Sequence, residues 1–273
     1  LQLGNGQLES RAEGADQSAA TVTITDGFVI FATGDKIGRI VKVASSGGDI
    51  TATQAQAGVE IGEIPASTHV CYFYGNLNGT LTGIESATSV AAVQAMTWTL
   101  ANIQNAANDV NIVPVYGTGP VAPGTVNTDR LEAKFNVYPI ASRLQLGKIT
   151  LSDTRVTELV AKGIYINYYN HSMDAGATFK PAYLKDNSIV TGNYPATGYD
   201  APYASMSDIL APGVDLKSGD AEPTAAVWAY NFFPAAMPHI VLHVSSITAE
   251  GNHAENKWIT VAKYSTDGSG TPN

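Results

Sequence analysis

The sequence predicts an all-β protein of two tandem domains, and three observations carry that expectation. Apolar residues recur with period two along most of the chain. Nearly every alternating run is closed by Gly, Pro, Asp or Ser, the residues that punctuate strands. The length, 273 residues, exceeds one small core and suits two domains of ordinary sandwich size. A boundary near residue 130 divides the chain into 1–132 and 133–273.

The elements follow in order. LQLGNGQ alternates like the end of a strand, with Leu1 and Leu3 on one face and Leu8 out of phase. A small, acidic spacer, Glu13–Ser18, leads into TVTI, where Val22 and Ile24 share a face, and then into the fully apolar FVIFA. IGRIVKV, VEIGEI and THVCYFYG are three further strand candidates. SATSVAAVQAMTWTLANIQNAAND differs: Val90, Val93, Met96 and Leu100 recur at helical spacing behind Ser86, Thr88 or Ser89 as N-cap, which predicts the one helix of the N-terminal domain.

A Gly- and Pro-dense stretch, NIVPVYGTGPVAPGTVNTDR, precedes LEAKFNVYPIASRLQLGKITL, read as one long strand. Leu144 and Leu146 share a face while Ile149 and Leu151 do not, so a bulge is expected at Gly147–Lys148. INYYN, HIVLHVSSI and KWITVAKY supply later strands, and GSGTPN reads as a loosely ordered tail. Between them, residues 175–223 read as a long functional or mobile loop rich in Gly, Pro, Tyr and Asp.

Charged residues are only 14% of the chain, against roughly a quarter in typical domains. The surface must therefore lean on Thr, Ser, Asn and Gln, as extracellular β-proteins do. A formal charge of −9 opposes a nucleic-acid partner, which requires clustered Lys and Arg. The single cysteine, Cys71, excludes an intrachain disulfide and reads as a small core residue. The chain starts without Met, consistent with a targeting segment already removed. AAVWAYNFFPAAMPHIVLHV, the most apolar stretch, carries two prolines and two histidines and reads as soluble core.

No catalytic signature is present. G-x-S-x-G, P-loop, G-x-G-x-x-G and H-E-x-x-H are all missing, and nothing assembles nucleophile, base and oxyanion donor. His239 and His243 lie four apart without a third ligand nearby, and the acidic stretches 215–220 and 129–132 lack calcium-loop spacing, so solvated turns are the simpler reading. The expectation is a non-enzyme with no metal and no cofactor. Two sequons, at Asn78 and Asn170, have meaning only on a eukaryotic secretory route.

Several segments taken in order resemble one family. These are the leader ending in SRA, TITDGFVIFATGDKIGRI, the helix, VPVYGTG, LEAKFNVYPIASRLQLGKITL, NFFPAAMPHIVLHVSSI and KWITVAKY. The chain is similar to the fimbrillins, the type V pilin subunits of Bacteroides-type fimbriae. That resemblance implies two tandem transthyretin-like β-sandwich domains in a structural subunit of a cell-surface fimbrium, exported as a lipoprotein precursor to the outer membrane. It implies a trypsin-like protease that cuts after an arginine near the mature start, here Arg11–Ala12, and removes a strand carrying Leu1, Leu3 and Leu8. A strand from a neighbouring subunit then fills the vacated groove. Implied partners are other fimbrial subunits (the same chain, tip or anchor proteins), the processing protease, and a host protein or glycan. The family also leads us to expect a donor strand after KWITVAKY.

Two alternatives stay open. Arg11 is either the processing site or an ordinary surface arginine in a turn. Tyr194, Tyr199 and Tyr203 could stack on sugar rings in a non-polymerising adhesin, a tip or anchor component, or could be loop anchors packed onto the sandwich.

Overall fold

The structure, a computed structural model, describes residues 1–5, 23–77, 81–104, 113–176, 179–180, 195–201, 203–224, 227–234 and 237–261. Among these residues it is all-β with three short α-helices. In chain order come β1 (Gln2–Asn5), β2 (Asp26–Thr33), β3 (Lys36–Ala44), α1 (Ala52–Ala57), β4 (Val70–Gly75), α2 (Val90–Gln94), β5 (Thr97–Thr99) and α3 (Leu100–Gln104). After them come β6 (Val115–Pro123), β7 (Leu131–Pro139), β8 (Ser142–Leu146), β9 (Val156–Asn167), β10 (Ser172–Asp174) and β11 (Phe179–Lys180). β12 (Ser207–Asp215), β13 (Trp228–Phe232), β14 (His239–Ala249) and β15 (Asn252–Val261) complete the set.

Two compact units form. One holds Leu1–Ala141 with Ser172–Phe179, the other Ser142–His171 with Lys180–Asn273. Residue 132, where the alternation suggested a boundary, sits inside β7, and the chain leaves the first unit after Ala141. LEAKFNVYPIASRLQL is accordingly two strands. β7 pairs with β6 in the first unit and β8 with β13 in the second.

The first unit is organised by a six-stranded sheet of order β1-β7-β6-β4-β2-β3. Period-two alternation sends Val29 and Phe31, Val41 and Val43, Cys71 and Phe73, and Ala133, Phe135 and Val137 into one core. β2 is apolar from Phe28 to Ala32 because both of its faces are covered: Phe28, Ile30 and Ala32 are buried as well. The expected single helix is broken. α2 starts on Ser89, whose Oγ accepts from Ala92 N at 3.2 Å, and ends at Ala95. Thr97-Trp98-Thr99, all poor helix formers, then extend as β5, pair with β10 and bury Trp98 completely before α3 begins. Another helix, α1, stands where none was expected, started by a capping box between Thr51 and Gln54.

In the second unit β12-β9-β14-β15 form an antiparallel sheet, with β9 central and its Ile164, Tyr165 and Ile166 fully buried. The stretch read as a loop from 175 to 223 contains β12, whose pairing with β9 slips between Ile209 and Val214, around Pro212 and Gly213. At Gly147–Lys148 the strand ends rather than bulges, and Ile149 resumes as an isolated bridge to Ala221.

Candidate functional site

One strand is held unlike the others. β1 lies on the outer edge of β7 and runs parallel to it, with Gln2 opposite Lys134, Leu3 opposite Phe135, Gly4 opposite Asn136 and Asn5 opposite Val137. Every other pairing in this sheet is antiparallel. β7 brings two assets to that edge. Its alternation LEAKFNVYP buries Ala133, Phe135 and Val137, and its other side is occupied by β6. Without β1 the outer row of β7 amides and carbonyls would stand open, a template for another extended chain.

β1 is fastened on its far side too. Leu1 N donates to Val59 O and Val59 N donates to Leu1 O, each at 3.1 Å. Gln2 Nε2 reaches the carbonyl of Gln56 at 3.4 Å, in the last turn of α1. The Leu1 side chain is half-buried against the core cluster that contains Val29, Cys71, Val121 and Phe135. A half-buried leucine and a four-residue parallel ladder together contribute only a few kcal/mol, on the order of one to three.

Val59 belongs to an irregular segment, Gly58–Ile64, in place of the strand that VEIGEI suggested. Gly58 at φ +100° and Glu63 at φ +59° both leave the extended region, so no ladder propagates through it. Val59, Ile61 and Ile64 nevertheless pack, half-buried, against the core. Between them Glu60 pairs with Arg130, just before β7, and Glu63 pairs with Arg39 on β3. Cys71 lies on the same core face, and burial pushes its thiol up.

Of the residues singled out from the sequence, Leu1 contributes to the core and Leu3 to the β1–β7 ladder. Leu8, Arg11, Ala12 and Tyr194 lie outside the described residues. Tyr199 is buried: its ring meets Tyr165 edge-on at 5.2 Å, and its hydroxyl donates to Ile166 O at 3.4 Å. Tyr203 is half-buried beside His171, ring centroids 5.6 Å apart. His243 stacks on Trp258 at 4.0 Å with Nε2 against Asn256 Oδ1, while His239 packs on Tyr168. Asp215 closes a turn by accepting from Lys217 N and Ser218 Oγ, which holds its carboxyl below the usual range. Among the described residues no three His, Cys, Asp or Glu gather as metal ligands, and no helix is long and apolar enough to cross a membrane. The contribution of Gly58–Ile64 was missed, because its apolar alternation imitates a strand.

No family model and no curated protein matches the sequence. Solved structures do. A candidate cell adhesion protein from Parabacteroides distasonis superposes with TM-score 0.52 at 11% identity, over 94% of this chain and 78% of that one. Another candidate cell adhesion protein from the same organism gives 0.50 at 9%, over 88% and 80%. A fimbrilin from Porphyromonas gingivalis gives 0.49 at 15%, over 96% and 79%. The first two likenesses show that the chain shares the fold of those β-rich proteins.

Proposed function

We propose that this chain is a fimbrillin-type structural subunit of a cell-surface fimbrium, assembled when removal of its N-terminal strand opens β7 to a strand from a neighbouring subunit. The observation that carries the reading is β1 itself, a short parallel strand on an otherwise open edge. Covalent attachment supplies a high local concentration that keeps so small a strand in place. A cut at Arg11–Ala12 ends that advantage, and the released segment then competes with any incoming strand on equal terms. Filling edges head to tail gives an open filament, since the strand donated and the edge that receives it are different surfaces.

In this reading the protein has no catalytic role. Its partners are further copies, tip or anchor proteins and a trypsin-like processing protease, and its location is the outer membrane surface, reached as a lipoprotein precursor. The names of the structural neighbours, cell adhesion proteins and a fimbrilin, support a role in adhesion or fimbriae. They equally favour a second reading, a surface adhesin that does not polymerise.

Limited trypsin digestion followed by mass spectrometry and size-exclusion chromatography separates the two. The subunit reading expects a fast first cut after Arg11 and a product that takes up strands in trans and moves to larger species. A folded chain that resists cutting there, keeps β1 and binds selectively on a glycan array is the adhesin.

A further inference from the structure

The edge that holds β1 has two walls, and only one of them is a strand. β7 lines one side of Leu1–Asn5. On the other side Val59 meets Leu1 through a reciprocal pair of backbone hydrogen bonds, both 3.1 Å. Val59 belongs to Gly58–Ile64, a strap anchored by three apolar side chains on the core and by ion pairs at Glu60 and Glu63. The two glutamates reach opposite sides of the sheet, Arg130 at the start of β7 and Arg39 on β3. Such exposed pairs add little energy, but they fix the direction in which the strap lies.

We infer that the strap is a selectivity wall: it admits an extended segment running parallel to β7 whose residue at the Leu1 position has a free backbone N–H and an apolar side chain. This rests on the strand-replacement reading above and adds to it what the incoming strand must look like. Strand geometry makes the two walls separable. The carbonyl of Leu1 points at Val59, so the amide that shares its peptide plane, the N–H of Gln2, points the opposite way, toward β7. The nitrogen of Leu1 donates to the strap. A proline, or any residue lacking that N–H, would leave the carbonyl of Val59 without its donor and would also crowd the strap.

The test uses the full chain nicked by trypsin at Arg11 and three fluorescent peptides of the sequence LQLGNGQLESR, acetylated so that the first nitrogen is an amide. One is unmodified, one is N-methylated at its first residue, and one is N-methylated at its second. Uptake is read by fluorescence anisotropy, and hydrogen exchange at the Val59 amide is followed in parallel. The expected result is binding of the unmodified peptide, with protection of Val59 lost on strand release and regained on uptake. Each N-methyl group is expected to weaken binding about tenfold. Equal binding of the unmodified and the first N-methyl peptide, with the second still weakened, overturns the strap inference and leaves strand replacement standing. No uptake of any peptide overturns both.

Discussion

At the scale of single residues, Asn76 shows how the first unit is tied together. It sits just past β4, fully buried, in the left-handed region at φ +54°, which asparagine tolerates better than most side chains. Its Nδ2 donates to the carbonyls of Thr23 and Val113, both at 2.8 Å, and its Oδ1 accepts from Thr25 N and Thr25 Oγ1. One amide thus joins the approach to β2 and the approach to β6 across the end of β4. Replacing it with alanine takes the Asn76 partner from Thr23 O, Val113 O and Thr25 N, leaves Thr25 Oγ1 to Asp26 Oδ2, and adds backbone strain. Asn76→Ala is expected to lower unfolding free energy by about 3 kcal/mol in urea titration. Asn76→Asp keeps the acceptor but turns its second carboxylate oxygen toward the carbonyls of Thr23 and Val113 in a buried site, so it should cost at least as much as alanine. Nothing in the sequence marks this residue, since an asparagine after YFYG reads as ordinary turn chemistry. Its importance comes from contacts more than thirty residues away in each direction.

At the scale of elements, legibility follows from whether local pattern and tertiary demand agree. FVIFA, a fully apolar run, and the alternating IGRIVKV and LEAKFNVYP read as strands, and the sheet uses them so. Where the pattern ran across a change of partner it misled. The apolar residues of VEIGEI do pack on the core, with Val59 and Ile61 in phase and Ile64 one residue out, yet positive φ at Gly58 and Glu63 stops the segment from pairing as a strand. SDILAPGVD was hidden as β12 because its Pro and Gly sit where the ladder slips. The helical spacing of Val90, Val93, Met96 and Leu100 broke at Trp98, which packs better from a strand. The candidate site was half legible: Leu1 and Leu3 could be nominated, whereas a parallel partner and a strap could not. Cys71 supplies a check on that site. It is buried on the core face against which Leu1 packs, and burial keeps it in its unreactive thiol form. Thiol labelling of the intact chain in native buffer should therefore be very slow, and labelling of the chain nicked at Arg11 should be at least tenfold faster once the released segment is washed away. Equal rates before and after release would mean that β1 does not cover the core.

At the scale of the whole molecule, the strand edge belongs to one unit and the second unit has a core of its own, built on β9 and β14. Occupancy of the edge should then be felt unequally along the chain. A peptide that binds only the folded first unit stabilises it by mass action, by about 2.7 kcal/mol at a hundredfold excess over the dissociation constant. For a unit of this size that free energy corresponds to a rise of about 5 to 11 °C in melting temperature. The second unit holds no part of the edge and gains nothing directly. Differential scanning calorimetry of the nicked chain should accordingly show two transitions. Titration with the unmodified LQLGNGQLESR peptide should move one of them upward in step with the logarithm of peptide concentration and leave the other in place. Asn76→Ala identifies the moving transition independently, because that substitution should lower the same one. If peptide shifts both transitions equally, the units unfold as a single cooperative body, and filling the edge would stabilise the entire subunit.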